Sequence, residues 1–306
     1  MLLRCLAGLD VQTYRDFEVI VVDDGSRDGS GVAAAKACAA GRPVRVLSSA
    51  GRGAVSSRIV GVEAARGEIV AFTDSDCVPD RNWLAALVSA LTDADAAQGT
   101  TLPVRPTGPT ERSVSVESED GLYATCNVAY RRSAYDAAGG FDGAAANRLG
   151  FRHGSALRGL GFGEDTLLGW RVRRAGRVVF APDALVRHEV FPPDLRDALQ
   201  RGWATGGFPA LIAEVPELRP RLWHGVVLGG PSRLALYGAC IAGLLGQRKT
   251  AAMLLAAWVW ARSSRLHPQT GSWRAVVRVL PADLAVDGVT AAALAIGSVR
   301  RRQLVL

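Results

Sequence analysis

The feature that most restricts this chain is a pattern repeated through its first hundred residues: a short apolar run, an acidic turn, then a helix. Phe17-Glu18-Val19-Ile20-Val21-Val22 is rich in β-branched residues and stops at Asp23-Asp24-Gly25-Ser26. An apolar run bounded by turn formers reads as a buried strand. Residues 30–40 are small and Ala-rich and fit a helix, Val44–Leu47 fits a second strand, and residues 53–66 fit a helix with Val55, Ile59 and Val62 on one face. Ile69–Phe72 is a third strand, stopped at Thr73-Asp74-Ser75-Asp76, and Trp83–Leu91 is again helical. Strands that alternate with helices imply right-handed βαβ units, hence an α/β fold with a mostly parallel sheet flanked by helices. Ligands of such sheets gather at the carboxyl ends of strands. Two acidic clusters sit at two of those ends.

A third cluster, Glu164-Asp165, opens a helix that runs to about Ala175. It follows a glycine-rich stretch, residues 139–163, that resembles a lid over a site. Each cluster has an ordinary structural reading: Asp-Gly makes turns, Asp caps helices, and acids complement a helix N-terminus. Their chemical reading is different. Two carboxylates one residue apart, Asp74 and Asp76, can hold a hard divalent cation that completes its shell with phosphate oxygens. Such an ion neutralises a diphosphate leaving group, and a further carboxylate can take the proton of an acceptor hydroxyl.

Here the chain resembles the inverting nucleotide-sugar glycosyltransferases of family 2, which have the GT-A, Rossmann-like fold. The matching residues are Val21-Val22-Asp23-Asp24-Gly25-Ser26, then Ala71-Phe72-Thr73-Asp74-Ser75-Asp76 in the place of the family's DxD. Asn127-Val128-Ala129-Tyr130-Arg131-Arg132, Gly139-Gly140-Phe141-Asp142 and Gly163-Glu164-Asp165 with Trp170-Arg171-Val172 follow in order. The resemblance implies that Asp24 contacts the nucleotide base with Asp23 in support, that Arg58 lies near the nucleotide, and that Asn127 shapes the donor pocket. It implies Asp76 as principal metal ligand, Asp74 binding ribose or assisting the metal, and His188 as a further metal or phosphate contact. Asp165 becomes the catalytic base and Glu164 orients the acceptor, with Gly140, Phe141 and Asp142 lining the acceptor side. The implied cofactor is Mg²⁺ or Mn²⁺. The chain departs from the family's pattern in three places. The family's opening strand has no counterpart before Leu2-Leu3-Arg4-Cys5-Leu6, so Leu2–Leu9 reads as the following helix, and an absent central strand would leave sheet edges open. Arg58-Ile59-Val60-Gly61 lacks the family's Asn after its Arg, and residues 143–162 make a long approach to Glu164.

Charge divides the chain. Residues 1–200 hold 23 basic and 25 acidic side chains, whereas residues 201–306 hold 13 basic and 4 acidic ones. The resemblance covers about residues 1–190, giving a catalytic domain there and a helical region over 191–306. That region carries uncharged apolar runs at 234–247, 250–261 and 288–299, none of them the roughly 18–20 residues that cross a bilayer. Basic residues beside apolar helices point to an anionic membrane surface and not to nucleic acid, for which no recognition motif is present. The pair at 234–261 reads as a buried hairpin, an interfacial or re-entrant pair, or spanning helices. The five cysteines show no metal or disulfide spacing, which fits a reducing compartment. Met1–Leu6 is too short for the apolar core of a secretory signal. The expected activity is transfer of a sugar from a nucleotide-sugar to a glycan or lipid-linked acceptor at the cytoplasmic membrane face, in cell-envelope synthesis. Nucleotidyl transfer onto a sugar phosphate, or an inactive membrane-bound scaffold, are the alternatives.

Overall fold

A computed structural model describes residues 1–37, 44–49, 51–108, 110–149, 163–228 and 232–306. The chain divides into two compact units. The first comprises Met1–Pro106, Ser113–Asn147 and Leu157–Phe191, and the second Thr107–Arg112, Arg148–Ala156 and Pro192–Leu306.

In the first unit the strands are β1 (Val19–Asp23), β2 (Val44–Ser48), β3 (Ile69–Phe72), β4 (Cys77–Pro79), β5 (Ala96–Pro103), β6 (Val128–Arg131) and β7 (Val178–His188). Its helices are α1 (Leu2–Asp10), α2 (Ser30–Ala37), α3 (Ala54–Ala64), α4 (Trp83–Ala90) and α5 (Arg132–Ala137). The short α6 (Ala145–Leu149) and then α7 (Glu164–Ala175) follow. β1 and β2 pair in parallel with each other, Val19 opposite Val44 through Asp23 opposite Ser48. The remaining strands form one sheet in the order β3-β6-β5-β7-β4. The α/β class stands, but the expected mostly parallel arrangement is corrected to a mixed one. β1–β2 and β5–β7 are parallel; β3–β6, β5–β6 and β4–β7 are antiparallel. A parallel neighbour needs a crossover of a dozen or so residues. The link from β3 to β4 is only Thr73–Asp76, so β4 cannot lie parallel beside β3 and sits at the opposite edge of the sheet. A link that short joins two edges only if the sheet curls, and the Asp74–Asp76 turn lies where it does so.

Strand alternation sends successive side chains to opposite faces of this sheet. Ala97 and Ala129 face a core built with Cys5, Leu6 and Leu9 of α1 and Trp83, Leu84 and Leu87 of α4. Their neighbours Ala96, Val128 and Tyr130 face a second core built with Val55 and Val62 of α3, Tyr135 of α5 and Leu168 and Val172 of α7. Leu87 is fully buried, so truncating it to Ala should cost about 2–5 kcal/mol.

One irregularity matters for the site. Gly99 of β5 pairs with Ala181, but the next residue, Thr100, pairs with Leu185, so residues 182–184 of β7 bulge out. The bulge leaves carbonyls without ladder partners. Asn127 Nδ2 donates to Thr100 O at 2.7 Å and to Ala184 O at 2.8 Å, while its Oδ1 accepts from Trp83 Nε1 at 2.8 Å. A Cβ at Gly99 would stand 2.3 Å from Ala184 O and 2.5 Å from Asn127 Nδ2. Only glycine leaves room for this clamp.

The second unit is helical: α8 (Leu195–Ala204), α9 (Phe208–Glu214), α10 (Ser232–Leu244), α11 (Arg248–Thr270) and α12 (Trp273–Arg301). Asp194 caps α8 by accepting from Arg196 N at 2.9 Å and Asp197 N at 3.2 Å. The apolar runs are longer as helices than as sequence. α12 has 29 residues and is long and apolar enough to cross a membrane by length and composition, which corrects the expectation that no run would suffice. The acids that interrupt its apolar pattern are neutralised inside the fold. Asp287 Oδ2 accepts from Arg262 at 2.7 Å and Trp258 Nε1 at 3.0 Å, its Oδ1 accepts from Arg233 at 3.2 Å, and Asp283 lies 3.7 Å from Arg262.

Candidate functional site

Two chain segments deliver carboxylates to one place in the first unit, and α3 delivers an arginine between them. α7 begins at Glu164 because Gly163, in the left-handed region at φ 71°, turns the chain into the helix. Glu164 is buried, and its Oε1 lies 3.3 Å from Arg58 NH1 on α3. The same guanidinium reaches Asp74 Oδ1 at 3.5 Å through NH2. Arg58 therefore joins the turn after β3 to the start of α7. Glu164 Oε2 is buried without a hydrogen-bond partner, and so is the hydroxyl of Tyr130 on β6. Buried polar atoms are nearly always paired, and an exception in a native fold calls for an explanation.

Asp165 is the electrostatic focus. Burial first, and then the neighbouring Glu164 carboxylate, push its carboxyl up to about 7; Thr166 N at 2.8 Å and the Arg58 charge pull the other way. Burial with Asp165 nearby also drives the Tyr130 phenol well above its usual range. Burial, and then the Asp76 charge, raise the Asp74 carboxyl against the pull of Arg58, although 40% of that side chain remains exposed. A carboxyl near 7 is balanced between holding and releasing a proton at ordinary pH, as a general base must be.

On the far side of the turn, β4 runs antiparallel to β7 and sets Cys77 opposite His188. Asp76, Cys77 and His188 offer ligand atoms that all lie within 4.8 Å of one another. Asp76 Oδ2 and His188 Nε2 are 3.6 Å apart, too far for a hydrogen bond and near the spacing of about 3–3.5 Å between ligands on a small cation. His188 Nδ1 lies 2.8 Å from Glu189 O. A neutral ring that donates Nδ1–H there keeps its Nε2 lone pair toward Asp76, the tautomer of a metal ligand. The donor set fits a divalent cation. Cys77 lines it as a neutral thiol, because a hydrogen bond with Cys126 and burial push its ionisation far up. Asp74 stands outside this trio and faces Arg58.

Among the described residues, the first acidic turn reaches the cluster through α3. Asp24 Oδ2 accepts from Gly53 N at 2.9 Å, and its Oδ1 accepts from Ser49 Oγ. Ser49 Oγ in turn lies 2.8 Å from Ser57 Oγ, one residue before Arg58. Asp23 Oδ1 accepts from Ser26 N at 2.9 Å, and hydrogen bonding from Ser26 holds its carboxyl below the usual value. Both acids thus shape the loop that seats α3.

The other expected site residues take these places. Asn127 is buried with its amide bonded to Trp83, Thr100 and Ala184, so it sets the sheet register. Phe141 is core, its ring 5.3 Å from Phe72 and 5.8 Å from Tyr135. Gly140, at φ 60°, is needed because a Cβ would stand 2.8 Å from the Tyr135 ring. Asp142 Oδ1 caps the following turn by accepting from Ala144 N at 2.8 Å. Phe141 thereby ties the turn to the core that also holds Leu168 of α7. Gly150, Gly154, Gly159 and Gly161 of the expected lid lie outside the described residues. Cys77 and Tyr130 join the site without having been picked out in the sequence. The only local signal for Cys77 is its place directly after Asp76; its place opposite His188 emerges from strand pairing.

The chain is similar to known proteins over part of its length. Residues 1–143 match the family model of glycosyl transferase family 2. The glycosyltransferase AglE of Haloferax volcanii is 35% identical over 112 residues, covering 35% of this chain and 37% of that protein. The pre-mycofactocin glycosyltransferase of Mycobacterium tuberculosis is 30% identical over 223 residues, covering 66% of this chain and 44% of that protein. The chain spans less than half the length of these relatives. Among solved structures, S. aureus TarS 1-349 in complex with UDP-GlcNAc aligns with a TM-score of 0.49 at 17% identity, covering 99% of this chain and 88% of that one.

Proposed function

Since this chain carries a glycosyl transferase family 2 domain over residues 1–143, we propose that it moves a sugar from a nucleotide-diphosphate sugar to an acceptor hydroxyl with inversion at the anomeric carbon. Asp165 is the base in this reading, and the observation that carries it is the carboxyl pushed up to about 7 beside a second buried carboxylate. The acceptor oxygen attacks the anomeric carbon, its proton passes to Asp165, and the nucleoside diphosphate leaves from the opposite face. Glu164 acts on Asp165 through its charge and holds Arg58. Arg58 keeps the Asp74 turn in register with α7. Asp76 and His188 would hold Mg²⁺ or Mn²⁺, and such an ion supplies charge neutralisation to a departing diphosphate. The loop of Asp23 and Asp24 serves the nucleotide. The basic, apolar second unit supports a setting at the cytoplasmic membrane face, with a glycan or lipid-linked acceptor of the cell envelope.

The test is product analysis. Purified protein incubated with a panel of nucleotide-sugars, Mn²⁺ and candidate acceptors should release nucleoside diphosphate, and proton NMR of the first product should show the inverted anomer. Release of pyrophosphate from a nucleoside triphosphate and a sugar phosphate would replace this reading with nucleotidyl transfer.

A further inference from the structure

α12 has two apolar sides, and only one is covered. Asp287, Thr290, Leu294 and Gly297 are buried. At Gly297 a Cβ would stand 2.3 Å from Gly206 O, and at Gly202 of α8 a Cβ would stand 2.9 Å from Thr290 Oγ1, so backbones meet closely along this side. The other side is open. Trp273, Val277, Leu284, Ala292, Ile296 and Val299 are exposed, Val277 by 65% and Val299 by 80%. At 3.6 residues per turn they fall within an arc of about 140°, and at 1.5 Å per residue the stripe runs about 40 Å. A mostly apolar stripe of that length, basic at its N-terminal end, marks a contact surface.

We propose that this outer face of α12 lies flat on an anionic lipid surface, its apolar stripe at the acyl boundary and its arginines among the phosphates. Three observations select lipid as the occupant. The charges on this face are positive: Arg274 and Arg278 are exposed within the first two turns of the same arc, whereas the helix's two acids, Asp283 and Asp287, are ion-paired with Arg262 and Arg233. Trp273 stands at one end of the stripe, as aromatic residues do at membrane interfaces. Crossing the bilayer is disfavoured, because the covered side is fastened to α8, whose Arg196, Asp197, Gln200 and Arg201 would be drawn into hydrocarbon. The proposal rests on the second unit alone and is independent of the transfer chemistry.

The experiment is co-sedimentation of the full chain with vesicles of equal parts phosphatidylglycerol and phosphatidylcholine, and with phosphatidylcholine alone, without donor or acceptor. Binding should require the anionic lipid and weaken with salt. Arg274→Gln with Arg278→Gln should bind about 30-fold more weakly, and Val277→Asp with Val299→Asp should bind at most about a tenth as well. The changed side chains are exposed, and circular dichroism checks that the variants fold. Failure of the wild type to bind, or undiminished binding by both variants, overturns the proposal. A wild-type dimer in lipid-free sedimentation that the aspartate variant abolishes would overturn it too, by assigning the stripe to a second copy.

Discussion

Each unit of this protein buries a carboxylate against arginine, and the two burials are finished differently. In the helical unit both oxygens of Asp287 are taken, by Arg233, Arg262 and the Trp258 indole. In the sheet unit Glu164 meets Arg58 at 3.3 Å with one oxygen, leaves the other without a partner, and stands beside a second carboxyl held near neutrality. A carboxylate closed in this way fixes three helices and has no oxygen left for a ligand. An open one keeps electrostatic stress, which is a cost to folding and a resource for moving protons. The contrast separates a buried charge that builds structure from one that does chemistry.

The contrast can be broken by substitution. The largest effect is expected at Asp165→Asn, which removes the base while keeping the shape: transfer should fall about 10³-fold, with nucleotide affinity by calorimetry nearly unchanged. Unaltered turnover would mean the open cluster has no proton to manage. Next comes Asp287→Ala, which strands two arginine charges in the closed network and should cost about 3–5 kcal/mol in denaturant unfolding. The turnover of the fraction that remains folded should match the wild type; if it fell in parallel with Asp165→Asn, the division between structural and chemical burial would fail.

Smaller effects sharpen the comparison. Glu164→Gln removes a negative neighbour from Asp165, so the acid limb of the kcat/KM profile should move to lower pH from its position near 7. A limb that stays in place would assign it to another group. The smallest effect is thermodynamic. A raised native pKa means that the folded state keeps a proton that the unfolded state releases near 4, so stability falls as pH rises from about 4 to 7. Asp165→Asn lacks that penalty and should melt roughly 5 °C higher than the wild type at pH 8, with the gap closing by pH 4. An equal gap at both pH values would trace the change to packing.

What the sequence disclosed followed its local signals. β1, β2 and β3 stand out as β-branched runs, and α3, α4 and α7 as periodic or acid-headed segments. β5, Ala-Ala-Gln-Gly-Thr-Thr-Leu-Pro, has little strand propensity and holds the centre of the sheet through burial on both faces. The sheet's mixed pairing was hidden because it depends on a four-residue link that forces β4 to the far edge. Asp74, Asp76, Glu164 and Asp165 were legible as acids at strand and helix ends; the Arg58 bridge between them was not, because it joins residues 106 positions apart. Asn127 was noticed for its place in a motif; its structural part in the sheet was not legible, since its partners come from three separate segments. α12 looked broken at Asp283 and Asp287 because their counter-charges lie on other helices.

The excursion at residues 182–184 carries a consequence for how such a site can be retuned. Run straight, β7 would set Leu185 against Pro103 and throw the imidazole of His188 about 10 Å beyond it. The three extra residues take up that slack and bring the ring back to Cys77. Pro182 and Asp183 are exposed, so this kink can change length, and each residue gained or lost would swing the ring to the opposite face of the sheet, away from the Asp76 carboxylate. No side chain of the cluster need change; the strand acts as a tether of adjustable length.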